Sequence, residues 1–171
     1  RDVSELKDRF GVDNVAFAFD RGRPLRTALL ATYKGERRKN AKEPPEVAAA
    51  RKEVHEQIKR MHRTLLPEAG YRNILSAEGF EADDIIAKVV MEHTDKSFII
   101  VAADSDLYQL LDSRTSIWNP SKKKLLTEAW FRNAYGLSPI QWGDVKALAG
   151  CSSDNVPGIE GVGEKTAVKY L

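Results

Sequence analysis

Ser97-Phe98-Ile99-Ile100-Val101-Ala102-Ala103-Asp104-Ser105-Asp106 is the stretch whose reading decides the fold. Phe98–Ala103 is the longest apolar run of the chain, rich in Ile and Val and free of turn residues. It predicts a buried strand over Ser97–Ala103, and it is far too short to cross a membrane. Charge returns abruptly at Asp104 and Asp106. Two apart, these residues point to the same side if the chain leaves the strand extended. The plainer reading is that Asp104 caps a following helix.

Working outward, Asn14–Phe19 predicts a second buried strand with Asp20 at its carboxyl end, and Tyr71–Leu75 and Ser116–Trp118 predict further strands. Helices are expected at Ser4–Phe10, stopped by Gly11, and at Pro24–Tyr33. A long one is expected at Pro45–Leu66, where Val47, Val54, Ile58, Met61 and Leu65 recur at helical spacing. Glu81–His93 predicts a helix with Ile85, Ile86, Val89 and Val90 toward the core. Another starts at Asp106, and Thr127–Tyr135, Pro139–Ala149 and Glu164–Leu171 follow. Residues 34–44 read as a mobile basic loop. Strands alternating with helices predict an α/β domain with a mainly parallel sheet flanked by helices, over residues 1–135. Residues 136–171 predict an appended helical subdomain.

Composition narrows the chemistry. Residues 21–63 hold 13 Lys and Arg against 5 Asp and Glu, whereas residues 64–171 hold 11 against 15. A basic block beside an acidic one suits a polyanion held over a metal site, although a charge block is also an ordinary solvated helical face. The single Cys excludes an internal disulfide and fits a reducing cytosol. The first residues contain no signal-peptide core. The chain lacks an initiator Met and opens and closes within helices, so we expect a fragment of a longer protein.

Six carboxylates stand in three groups: Glu81, Asp83 and Asp84; Asp104 and Asp106; and Asp154. In a parallel α/β sheet, ligands collect beyond the carboxyl ends of the strands, which is where Asp20 and Asp104 fall. Glu81 and Asp84 share a helical face, and Asp83 and Asp84 lie where a helix dipole favours negative charge. Each group alone is explained by capping or an Asx turn. Together they form the hard-oxygen donor set of Mg²⁺ or Mn²⁺, suited to phosphodiester hydrolysis with two metals. No nucleophilic triad is spaced for catalysis, and His55, His62 and His93 read as surface or structural residues.

Gly158-Ile159-Glu160-Gly161-Val162-Gly163-Glu164-Lys165-Thr166 departs from a phosphate loop, because Glu164 intrudes before the lysine and no strand precedes it. It reads better as a glycine hairpin between helices. Its amides offer an anion site, and Lys165 and Lys169 add charge. A plain helix–helix turn is the alternative.

These residues resemble the flap endonuclease and 5′-3′ exonuclease family in its bacterial and phage branch, which includes the nuclease domain of bacterial DNA polymerase I. The resemblance rests on Ala18-Phe19-Asp20, Tyr33-Lys34-Gly35-Glu36-Arg37, Glu81-Ala82-Asp83-Asp84, Ala103-Asp104-Ser105-Asp106, and the long stretch from Ser153-Asp154 to Ala167. It implies a PIN-like or resolvase-like nuclease core followed by a helix–three-turn–helix DNA-binding subdomain. Asp20, Glu81, Asp83 and Asp104 are then first-metal ligands, and Asp84, Asp106 and Asp154 serve the second metal directly or through water. Lys34 and Arg37 clamp the scissile phosphate, and Tyr33 stacks on the terminal base. Residues 34–63 form the helical arch. Arg38 and Lys39, with Gly161, Gly163, Lys165, Thr166 and Lys169 of the hairpin, contact DNA, with K⁺ at the hairpin. The other readings of Tyr33 and of Lys34 with Arg37 are a core aromatic and a solvated pair.

Two departures stand out. The family begins with a strand ending in another metal-ligand Asp, which is missing here, so residues 1–171 alone are expected to be poorly active. Cys151 stands where the family has Asp, and a protonated thiol is a weak Mg²⁺ ligand, so the second site is expected to be weakened or shifted toward Mn²⁺; the alternative is that this position reaches the metal only through water, which tolerates the change. The resulting expectation is a monomeric, cytoplasmic, nucleoid-associated 5′ nuclease acting on 5′ flaps, nicks and 5′ ends of DNA and on RNA primers, with no membrane partner. A DNA-binding relic without catalysis is the alternative.

Overall fold

Gly11, in the left-handed region at φ 62°, ends the first helix, α1 (Asp2–Phe10), which delivers the chain to the first strand, β1 (Ala16–Ala18). The computed structural model describes residues 2–35 and 44–171. They divide into two compact units, one of residues 2–24 and 44–85, the other of residues 25–35 and 86–171.

In the first unit, β1 pairs in parallel with β2 (Asn73–Leu75), with Phe17 opposite Ile74. β1 is shorter than Asn14–Phe19 and is half-exposed rather than buried. A two-stranded sheet leaves one edge of each strand unpaired, so burial at Phe17 and Phe19 comes from neighbouring rings. Phe17 meets Tyr71 edge-on at 5.0 Å, and Phe19 lies 4.7 Å from the His62 ring. The long helix starts at Pro45, its first residue, as α3 (Pro45–Arg60). It then loosens into a π-helical turn at Met61–Leu65 before a last α turn, Leu66–Glu68. Its stripe of Val47, Val54, Ile58, Met61 and Leu65 is exposed; Leu66, one residue on, is the buried position.

The second unit carries the main core. α2 (Arg26–Leu29) is four residues long, shorter than the Pro24–Tyr33 helix read from sequence. α4 (Ala82–Glu92) brings Ile86 and Val90 to that core. β3 (Phe98–Val101) is parallel to β4 (Thr115–Asn119), with Ile100 opposite Ile117, and β4 is antiparallel to β5 (Lys124–Leu126). β5 was not expected from the sequence; its pairing partner, not its composition, defines it. Between β3 and β4 runs a 3₁₀ segment, Ser105–Leu110, in place of the α-helix expected from Asp106. α5 (Glu128–Tyr135) is delimited by two local signals. Thr127 Oγ1 accepts the Trp130 N–H at 3.2 Å, and Gly136 at φ 73° closes the end by donating to Arg132 O. A 3₁₀ turn, Pro139–Gln141, leads into α6 (Trp142–Ala149), and α7 (Glu164–Tyr170) packs on the same core through Ala167. Ile117, Leu126, Phe131, Trp142 and Val145 are its deepest members. Tyr108 and Tyr135 add edge and tilted ring contacts to Phe131 and Trp142.

Two of the three strand pairings among the described residues are parallel, and this α/β pattern with a helical end agrees with the sequence reading. Among the described residues, no helix is long and apolar enough to cross a membrane.

Candidate functional site

Carboxylates gather in both units, and in each case backbone amides orient them. In the first unit the chain leaves β1 at Asp20, whose Oδ1 accepts the Ala82 N–H at 2.7 Å across 62 residues of sequence. Asp84 Oδ2 accepts the Glu81 N–H at 3.0 Å. Glu81 is buried, 6% exposed, and Asp83 sits beside Asp84 in the first turn of α4. The capping reading therefore holds for Asp84, and the same contacts bring Asp20, Glu81, Asp83 and Asp84 to one helix start. A helix N-terminus stabilises this negative charge.

In the second unit, Asp104 caps the 3₁₀ segment, its Oδ1 accepting the Asp106 N–H at 2.9 Å. Asp106 is thus inside a helical turn, not on an extended exit as expected. Its Oδ1 lies 3.0 Å from Lys146 Nζ, which also donates to Ser105 Oγ at 3.2 Å and stands 5.5 Å from the Trp142 ring centre. Burial alone would lower the Lys146 pKa; the hydrogen bond and charge of Asp106, helped by Glu164 and Cys151, outweigh it and hold the ammonium above its ordinary value.

Asp154 ends a 3₁₀ turn, Ser152–Asp154, closed by the bridge between Cys151 and Val156 (Cys151 N to Val156 O 2.9 Å, Val156 N to Cys151 O 3.0 Å). Asn155 follows in the left-handed conformation, φ 57°. The Asp154 carbonyl accepts the Lys34 N–H at 2.8 Å, and Lys34 is itself left-handed at φ 52°. Lys34 Nζ is 5.4 Å from the Tyr33 ring centre. Tyr33 is 7% exposed, so a base would reach its ring only after local rearrangement. Cys151 Sγ lies 3.2 Å from Ser153 Oγ.

Two glycines hold this turn. At φ 71°, Gly150 would place a Cβ 2.4 Å from Gly158 N, and a Cβ on Gly158 would fall 2.3 Å from the Ala149 carbonyl carbon. Backbone crosses backbone here, which only glycine at both positions permits. Further on, Gly161 is left-handed (φ 77°) in open space and Gly163 is the N-cap of α7. Lys165 and Lys169 are exposed, Thr166 is half-buried, and Val162, Ala167 and Val168 face the core.

Arg37, Arg38 and Lys39 lie outside the described residues. Among the described residues, no three His, Cys, Asp or Glu side chains are drawn together closely enough to enclose a metal; the acidic groups are shared between the two units. Their chemistry still fits a hard divalent cation, because they are carboxylates held in place by amide donors, whereas the Cys151 thiol does not. Sequence reasoning missed Lys146, whose signal was only a lysine four residues after Trp142. It also missed the Gly150–Gly158 crossing, which no local pattern announces.

Residues 2–136 match a family model described as the 5′-3′ exonuclease N-terminal resolvase-like domain, and residues 137–171 match the 5′-3′ exonuclease C-terminal SAM fold. DNA polymerase I of Streptococcus pneumoniae is 38% identical over 177 residues, covering 99% of this chain and 19% of that protein. Thermostable DNA polymerase I of Thermus thermophilus is 46% identical over 99 residues, covering 57% of this chain and 12% of that protein. The chain thus spans about a fifth or less of the length of the curated relatives it matches. Among solved structures, a T5 protein co-crystallised with metal ions superposes with a TM-score of 0.88 at 22% identity, over 98% of this chain and 64% of that one. The bacteriophage T5 flap endonuclease in a pseudo-enzyme–product complex with DNA and metal ions gives 0.86 at 22%, over 98% and 62%.

Proposed function

This chain belongs to the 5′-3′ exonuclease family, and on that premise we propose that it is a divalent-metal-dependent 5′ nuclease hydrolysing phosphodiester bonds at 5′ flaps, nicks and 5′ ends of DNA, and RNA primers, in replication and repair. The observation that carries the reading is the gathering at the start of α4 of Asp20 and Asp84, both oriented by amides, with Glu81 and Asp83. Its counterparts in the other unit are Asp104, Asp106 and Asp154.

Two divalent ions at these carboxylates would supply an activated water and charge neutralisation at the phosphate. The chain's own groups do the rest. Amide donors to Asp20, Asp84 and Asp104 keep the carboxylates aimed. Lys34, with its backbone tied to the Asp154 turn, brings an ammonium to the scissile phosphate, and Arg37 adds a bidentate guanidinium. Tyr33, once uncovered by local rearrangement, offers a ring for the terminal base, which suits recognition of structure rather than sequence. Gly161, Gly163, Lys165, Thr166 and Lys169, with Arg38 and Lys39, grip the duplex backbone, with K⁺ at the hairpin. Mg²⁺ and Mn²⁺ are the ions, and the working form is a cytoplasmic, nucleoid-associated monomer with residues 1–135 as nuclease core and 136–171 as DNA grip.

Cleavage of a labelled 5′-flap duplex by the full-length protein in Mg²⁺ and in Mn²⁺ tests this. Binding without product in both ions sinks the enzyme reading and leaves the DNA-binding relic.

A further inference from the structure

Asp104 and Asp106 stand two residues apart, where like charges raise each other's cost. Lys146, on α6, reaches Asp106 Oδ1 at 3.0 Å and, across 41 residues of sequence, Ser105 Oγ at 3.2 Å. Its side chain is 26% exposed and that of Asp106 41%, so this pair is shielded more than a surface pair. The Trp142 ring centre lies 5.5 Å from Nζ, and Trp142 is fully buried.

We propose that Lys146 is the resident cation of the Asp106 carboxylate: it balances that charge beside Asp104 when no metal is bound, and a divalent ion must displace it to ligate Asp106. The inference rests on the nuclease reading only in that Asp106 is a metal ligand. It concerns which cation occupies that oxygen, and a metal-binding measurement reads it without any cleavage.

The test is a Mn²⁺ titration of the full-length protein, followed by electron paramagnetic resonance of free Mn²⁺, for wild type, Lys146→Met, Lys146→Arg, Asp106→Asn and the double variant Lys146→Met/Asp106→Asn. Removing the competitor should tighten one site by about three- to tenfold. Lys146→Arg, which keeps the charge, should stay near wild type. In the Asp106→Asn background Lys146→Met should change nothing. Equal tightening in both backgrounds would mean a general field effect and overturn the proposal, as would unchanged affinity in Lys146→Met. A wild type that binds no Mn²⁺ would overturn the metal reading together with it, so the two failures are distinct. Wild-type protein with ¹³C-labelled lysine gives a second measure that does not depend on Lys146→Met folding, its signal assigned with Lys146→Arg. Mg²⁺ should shift the Lys146 Cε signal, and an unmoved signal at saturation counts against displacement.

Discussion

Lys34 combines two roles in one residue: a left-handed backbone whose N–H reaches the Asp154 carbonyl at 2.8 Å, and an ammonium beside the Tyr33 ring. Lys34→Ala keeps the amide and deletes the charge. If the ammonium stabilises the phosphate, cleavage should fall on the order of a hundredfold while duplex affinity in a gel-shift assay changes little. An equal loss in both would make the lysine a general DNA contact. Cys151 offers the complementary experiment. Cys151→Asp adds a hard oxygen two residues from Ser153, with Lys146 close enough to feel its charge, and Mg²⁺ should then bind more tightly by titration calorimetry. Unchanged affinity and rate would remove position 151 from the metal site. At this scale the sequence showed which residue types were chemically able. It could not show that Asp20 lies against Ala82 or that Ser105 and Asp106 are held by Lys146, because the Asp20 contact spans 62 positions and the Ser105 contact 41.

Elements bounded by their own side chains were legible. Thr127 and Gly136 fence α5, and the β-branched run of β3 makes a strand wherever it is placed. Elements set by distant partners were not. Lys124-Leu125-Leu126 becomes β5 because Leu125 stands opposite Trp118 and Leu126 opposite Ile117. The spacing of Val47, Val54, Ile58, Met61 and Leu65 gave the right helix, yet that stripe is exposed. Helical period reports conformation, and burial needs a neighbour. The turn after α6 yields a paired prediction by thermal denaturation. Gly158→Ala should cost about 2 kcal/mol or more, because its methyl meets backbone that has nowhere to go. Gly161→Ala, in open space but at φ 77°, should cost only about 1 kcal/mol of backbone strain. Equal losses would mean that the close crossing at Gly150 is not maintained in solution.

For the molecule as a whole, acid tests how the β3–β4 connection is tied. Burial would push the Asp112 carboxyl up, but the N–H groups of Arg114 at 2.8 Å and Thr115 at 2.7 Å, with the Arg114 charge, hold it below the ordinary value. A depressed folded-state pKa contributes stability that is present above the unfolded value and lost as pH falls through the folded one. Chemical denaturation should therefore show wild type losing stability below about pH 4 more steeply than Asp112→Asn, whose slope in that window should be flatter. Identical slopes would exclude Asp112 from the acid response.

The crossing of Gly150 over Gly158 has one more consequence. Neither partner has an atom to give up, so no second-site change at one can make room for a side chain at the other. In a saturation library both positions should tolerate nothing but the parent residue, and pairwise variants should show no mutual rescue: a knot of two codons through which neutral drift cannot pass.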